Sequence, residues 1–230
     1  MSTKLNSNGV KYIVASAAMI FLQLAILFAA AGTFNLTRGI VFGAVNLIYS
    51  ISAIFVLFKA NPELVNQRGA KHKNADKRDL LLVKINNLNM VLILPLIVGL
   101  DVRFNFFMLN ESWQIPGYAL YILSNILVLG SMMANNHFET HVRIQSEREH
   151  TVVKSWPYNL VRHPGYLGVL LWLFAFPMII GSLAGTFFSI LISVGFIVRT
   201  RLEDSYLTKN LKGYTDYKNE TRYRLFPGLW

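Results

Sequence analysis

The sequence predicts an all-α integral membrane protein with about six transmembrane helices. Three observations lead there. Of its 230 residues 53% are hydrophobic and 15% charged, where a soluble domain carries roughly a quarter charged residues. The apolar residues fall in long blocks rather than in alternating or helical stripes. The basic residues keep to one side of the expected spans, as the positive-inside rule requires.

The spans follow in order. Residues 12–32 and 39–58 are apolar runs of about 20 residues, the length needed to cross a hydrocarbon core of about 30 Å. Ala29-Ala30-Ala31 resembles a signal-peptide cleavage site. The run before it exceeds the roughly 7–15 apolar residues of a signal peptide, so the first segment reads as an anchor. Runs at 85–100, 117–134, 165–180 and 183–198 complete the set, the third and fifth being the shortest. Of 22 Lys and Arg, all but Arg38 and Arg103 fall at the termini or in the even-numbered loops. Six spans with both termini cytoplasmic satisfy that pattern throughout. The net charge of +10 then reflects topology and contact with anionic headgroups rather than nucleic-acid binding.

Three regions emerge: an N-terminal hairpin (1–58), an interfacial loop with spans three and four (59–134), and a C-terminal region (135–230). The polar loop 61–79 is expected on the headgroups. Asn86, Asn87, Asn89, Asp101, Asn125, Asn135 and Asn136 read first as caps or water contacts near span ends. Leu202, Tyr206, Leu211 and Tyr214 recur at helical spacing, so a separate interfacial helix is expected over 201–211, ended by Gly213.

Several chemistries are excluded or weakly supported. There is no cysteine, hence no disulfide, thiol nucleophile, Cys-ligated zinc or iron–sulfur cluster in this chain. No phosphate-binding glycine loop, dinucleotide fingerprint or nucleophile elbow is present. His137 and His141 would share a face if helical, but no third ligand stands at suitable spacing, so no metal is expected.

The last two spans are joined by little more than Gly181-Ser182. Equal arms return the chain to the depth at which it left. Arg162 and His163 at the start, and Glu203 and Asp204 beyond the end, therefore share one cytoplasmic rim although about 40 residues apart. Each has an ordinary explanation. Arg162 can snorkel, and Glu203 can pair with Arg199 one turn earlier. Gly165 and Gly168 can serve helix packing. Their convergence at one depth points to a site.

The segments "VRIQSEREHTVVKSWPYNLVRHPGYLGVLL" and "RTRLEDSYLTKNLKGYTDYKNETRYRLFPGLW" resemble the isoprenylcysteine carboxyl methyltransferase family and its phospholipid methyltransferase relatives. The resemblance covers about residues 135–230. The stretch "NPELVNQRG" is similar to prokaryotic-type members. It implies a C-terminal cytoplasmic region that binds S-adenosylmethionine. Carried over by motif, Arg162, His163, Pro164, Tyr166, Leu167 and Gly168 would hold the amino-acid and ribose parts of that cofactor. Glu203 would meet its ammonium and Asp204 would assist. Gln145, Val152, Val153 and Tyr158 would line the adenine side. Tyr214, Arg222, Arg224 and Pro227 match a closing segment. Arg162, His163 and Glu203 are the expected catalytic residues. Trp156 stands where relatives often have glycine, and Arg148-Glu149-His150 where Arg-Gly-His is common.

The resemblance implies an S-adenosylmethionine-dependent methyltransferase in the inner (plasma) membrane, with its active site cytoplasmic. A lipophilic acceptor would enter from the bilayer: an isoprenylcysteine-like carboxylate, a phospholipid amine or a small hydrophobic thiol. Alternatives are a non-catalytic scaffold or small transporter on the same fold, and a sterol-reductase-like enzyme. The sequence leaves the oligomeric state open.

Overall fold

A computed structural model describes residues 4–70 and 77–230, with Lys77 as backbone only. Residues 71–76, in the middle of the expected headgroup loop, lie outside the described residues.

Helix α1 (Ser7–Ala31) opens on Asn6, whose side-chain oxygen accepts hydrogen bonds from the backbone N–H groups of Asn8 and Gly9. It closes on Gly32 at φ 67°, a left-handed stop open to glycine. Helix α2 (Thr37–Ala60) returns antiparallel. Both carry large apolar residues on their outer faces, including Val14, Phe21, Ile48, Ile51 and Phe55. That is the pattern expected where the solvent is hydrocarbon. Asn61 then caps the short α3 (Pro62–Arg68) by accepting from the Leu64 N–H.

The third expected span lies inside a longer rod. Helix α4 (Lys77–Leu88) runs into a π turn at Asn89–Ile93 and on into α5 (Leu94–Phe104). Pro95 has no N–H for the regular ladder, and the wide turn precedes it directly. Gln23 of α1 is buried and donates its amide to the Met90 carbonyl at 3.0 Å, within that turn. Helix α6 (Gln114–Ala134) follows.

The short hairpin forms where its spacing predicts. Helix α7 (Pro164–Ile180) turns at Gly181, φ 97°, and Ser182 caps α8 (Leu183–Asn210) by accepting from the Gly185 N–H. Asp101 pins the turn from α5. Its carboxylate accepts from Phe107 N, Ala184 N and Ser182 Oγ at 2.9, 3.2 and 2.6 Å. Asp101 is 1% exposed, so Asp101→Ala strands three donors at once. A loss of about 2–3 kcal/mol in a detergent melt is expected; an unchanged midpoint would mean the turn is held by its other contacts.

Among the described residues, five helical segments are long and apolar enough to cross a membrane: α1, α2, Arg78–Phe104, Glu111–Ala134 and α8. Helix α7, at 17 residues, is a shorter apolar helix. It is the best-covered element: Leu173, Ala175, Phe176, Ile179 and Ile180 are fully buried. It can lie against α6 because Gly168 has no side chain. A Cβ there would stand 2.6 Å from Val128 and 2.9 Å from the Ser124 carbonyl.

The separate interfacial helix expected over 201–211 does not form. Helix α8 continues unbroken to Asn210, and no Gly or Pro stands between Gly195 and Gly213 to end it earlier. Arg199, just beyond the expected span at 183–198, is neutralised by Asp79 of α4 at 2.8 Å. At about 1.5 Å per residue this helix of 28 residues exceeds a core of about 30 Å by about two turns. Its last turns therefore project as part of the site. The short α9 (Tyr214–Glu220) follows Gly213.

Candidate active site

The predicted rim assembles, and its two acids divide the work. Asp204 is 1% exposed. Its Oδ1 accepts from Arg162 Nε at 2.7 Å and from the Tyr214 hydroxyl at 3.0 Å, and its Oδ2 accepts from Arg224 Nε at 2.9 Å. His163 Nε2 lies 3.4 Å from Oδ1. Arg162 completes its fork on the carbonyls of Thr221 and Arg222, at 2.7 and 2.6 Å. The backbone N–H groups of Arg162 and His163 donate to the carbonyls of Tyr223 and Arg224. The C-terminal segment is thus strapped across the start of α7.

Glu203 points elsewhere. Successive residues on a helix stand about 100° apart, so a carboxylate adjacent to Asp204 faces a different wall. Glu203 Oε2 accepts from the Tyr166 hydroxyl at 2.6 Å, and His163 Nδ1 stands 3.9 Å from Oε1. Among the described residues no Lys or Arg lies in ion-pair range of Glu203. The pair with Arg199 that would give Glu203 an ordinary explanation does not form. Arg199 goes to Asp79 and to the Thr140 carbonyl, with its guanidinium 5.3 Å above the Tyr166 ring.

Glu203, His163 and Tyr166 line a cavity of about 360 Å³, a size usual for small-molecule sites. Its wall draws on two hydrophobic clusters. In one, Tyr158, Leu211, Tyr214 and Tyr217 pack with Val152 and Val153. In the other, Met132 packs with Val128, Tyr12 and Phe138. The first is aromatic and partly polar: Tyr217 donates to the Tyr158 carbonyl at 2.7 Å, and Asn135 donates to the Tyr158 hydroxyl at 3.1 Å. Burial raises the Tyr158, Tyr214 and Tyr217 hydroxyls above their ordinary range, so all three are neutral donors. The second cluster is almost wholly apolar.

Comparison with known families matches residues 116–209 to the isoprenylcysteine carboxyl methyltransferase (ICMT) family. That segment contains α7, α8, His163 and both rim acids. Over that segment the chain is similar to the ICMT family. Among similar proteins are the protein-S-isoprenylcysteine O-methyltransferase of Saccharomyces cerevisiae, 28% identical over 120 residues (51% of this chain, 50% of that protein), and protein-S-isoprenylcysteine O-methyltransferase B of Arabidopsis thaliana, 27% identical over 114 residues (47% and 58%). A probable protein-S-isoprenylcysteine O-methyltransferase of Oryza sativa subsp. indica is 33% identical over 67 residues (28% and 35%). The matched segment spans between about a third and about three-fifths of these relatives, half of the yeast protein.

The family-derived residues separate in space. Val152, Val153, Tyr158, Arg162, His163, Pro164, Tyr166 and Glu203 line the cavity. Gln145, Leu167, Gly168 and Asp204 do not. Leu167 packs against the main core, Gly168 makes the α6–α7 approach, and Asp204 is the hub behind the wall. Trp156 lies against Gly130, where a side chain would collide with the indole. Sequence reasoning missed Asp79 and Arg68. Arg68 lay within the quoted "NPELVNQRG"; nothing marked Asp79.

Gln145, 1% exposed, ties the cap over the cavity. Its amide donates to the His137 carbonyl at 2.9 Å, and its Oε1 accepts from Arg148 at 2.9 Å. The segment carrying His137 and His141 is not helical, so the two do not share a helix face. His137 instead stacks on His150 at 4.3 Å. Burial first, then the neighbouring His137, pushes His150 down to about 4. A histidine depressed in the folded state contributes stability above its unfolded value of about 6.5 and loses it as pH falls toward 4. Amide protection factors over 137–150, corrected for the intrinsic exchange rate, should therefore fall on acidification across that window. H150Q should flatten the change; a pH-independent wild type would contradict the assignment.

Proposed function

We propose that this chain is an S-adenosylmethionine-dependent membrane methyltransferase acting on an isoprenylcysteine-like lipophilic acceptor. The observation that carries the reading is Glu203: a carboxylate facing the cavity without a Lys or Arg partner among the described residues. Its setting suits a bound ammonium. The residues present fit the cofactor. Tyr158, Tyr214 and Tyr217, with Val152 and Val153, offer the aromatic and aliphatic wall that an adenine needs. The Tyr166 face and nearby rings suit a sulfonium. When bound, S-adenosylmethionine would supply a methyl group whose carbon the acceptor attacks in line, the neutral thioether leaving with the C–S electron pair.

The chain's part is to hold, orient and dry. Glu203 binds the ammonium and is itself fixed by the Tyr166 hydroxyl. Arg162 directs most of its fork to Asp204 and two carbonyls, so its role is to hold the C-terminal strap and to place positive field beside the cofactor's carboxylate. His163, between the two acids, offers a ring nitrogen to the same group. A carboxylate acceptor carries no proton to remove, so methyl transfer to it needs no base, and proximity supplies most of the rate. An amine acceptor would call on His163 or Glu203. The relatives' names favour the carboxylate. The one-sided distribution of Lys and Arg supports a cytoplasmic site and termini.

The test is transfer of labelled methyl from S-adenosylmethionine to a farnesylated cysteine by detergent-purified protein, with phosphatidylethanolamine as the second acceptor. Base-labile labelled ester on the farnesylated compound is the expected product. Label on the amine lipid alone would overturn the acceptor, and label on neither would overturn the reaction.

A further inference from the structure

Among the described residues, matching charges around the cavity leaves one guanidinium over. Arg162 and Arg224 are held by Asp204, Arg199 by Asp79, and Arg143 by Glu139 and Glu147. Arg68, the last residue of α3, lines the same cavity. Its guanidinium is sandwiched between two rings, 5.1 Å from the centroid of Tyr12 and 5.4 Å from that of Phe138. Nη1 donates to the Phe138 carbonyl at 3.2 Å, while Nε is shielded from solvent without a hydrogen-bond partner. Among the described residues no carboxylate stands in ion-pair range of it. A partly buried cation whose Nε is shielded and which lacks a counter-charge carries an uncompensated desolvation cost, and two ring faces offset only part of that. The arrangement is complete when an anion occupies the cavity.

Position says which anion. Tyr12 and Phe138 pack with Met132 and Val128, the apolar cluster, and not with the tyrosines that suit an adenine. Arg68 also comes from the N-terminal half, outside the family match at 116–209. Among the described residues the cavity therefore carries a carboxylate without a Lys or Arg partner, Glu203 from α8, and a guanidinium without a carboxylate, Arg68 from α3.

We infer that Arg68 is the acceptor-recognition residue, its guanidinium taking the carboxylate of a lipophilic acceptor whose hydrocarbon tail lies along Met90, Val128 and Met132. The identity of the bound molecule as a methyl acceptor rests on the function proposed above; the selectivity for an anion does not, because it is a property of binding. A planar guanidinium matches a carboxylate in two-point geometry, and it disfavours a cationic amine at the same spot.

The experiment is binding without the cofactor. N-acetyl-S-farnesyl-cysteine and its primary carboxamide compete for detergent-purified protein against a fluorescent farnesyl carboxylate. Wild type should prefer the carboxylate by about 10-fold or more. R68Q should bring the ratio near one by weakening the carboxylate alone, with carboxamide affinity kept within about 2-fold as evidence of a folded site. R68K should restore part of the preference, since it keeps the charge and loses the fork. S-adenosylmethionine affinity, measured by calorimetry on the same variants, should stay within about 2-fold. A wild type without carboxylate preference overturns the inference, whether or not methyl transfer is seen. So does an R68Q protein that keeps the preference and loses cofactor affinity, because Arg68 would then serve the cofactor's carboxylate. Equal competition by phosphatidylethanolamine would overturn it in favour of a phosphodiester. Intact anion preference without methyl transfer would defeat the catalytic reading and leave the role of Arg68 standing.

Discussion

Asp204→Ala is expected to cost about 3–5 kcal/mol of stability, the largest loss available at a single position in the site. The carboxylate it removes is 1% exposed and faces the guanidinium groups of Arg162 and Arg224 and the hydroxyl of Tyr214. Arg162 is itself 4% exposed, so removing its anion leaves a buried cation with only carbonyls for company. The strap formed by residues 221–224, tied to the start of α7 by the Tyr223 and Arg224 carbonyls, should loosen with it. A thermal melt in detergent, read with proteolysis near the C-terminus, measures both effects. Asp204→Asn keeps the shape and some hydrogen bonding and should fall between alanine and wild type. A melt within about 1 kcal/mol of wild type, where an ordinary surface change would lie, would show that the strap does not depend on this carboxylate.

That prediction concerns a residue whose place was legible and whose role was not. The short link at Gly181-Ser182 sets depth: any two groups flanking arms of equal length must share a rim. So Arg162, His163, Glu203 and Asp204 could be brought together from spacing alone. Depth says nothing about azimuth. Neighbouring helical positions differ by about 100°, and which of two consecutive acids faces the cavity depends on how α8 is rotated by its packing. The rotation is fixed by contacts distant in sequence. Arg199 reaches Asp79 across 120 residues, and no local pattern announces such a partner. Once Arg199 is neutralised there, the helix passes through a charged stretch that reads as a boundary. Arg68 was hidden for a related reason: a basic residue near a span end is ordinary, and only the absence of a nearby carboxylate in three dimensions sets it apart. The apolar runs were the opposite case, because lipid exposure is written into every outward residue of α1 and α2.

Glu203→Gln separates the two acids experimentally. The substitution keeps the side chain's size and an oxygen that can accept from the Tyr166 hydroxyl, now 2.6 Å from Oε2. It removes only the charge. Since Glu203 carries no Lys or Arg partner among the described residues, no buried cation is stranded, and the melt should stay within about 1 kcal/mol of wild type. Cofactor binding should suffer instead. A hydrogen bond to a charged group contributes about 1.5–3 kcal/mol, so calorimetry should find S-adenosylmethionine weakened by about 10- to 150-fold. The side chain is 25% exposed, so the loss should depend only weakly on salt compared with a surface pair. The contrast carries the weight: position 204 should move stability and position 203 affinity, although the two are adjacent in the chain. An E203Q protein that binds the cofactor as wild type does would remove the ammonium partner from the proposed site. An E203Q protein that melts as early as D204A would mean that both acids belong to one structural network and that neither is reserved for a ligand.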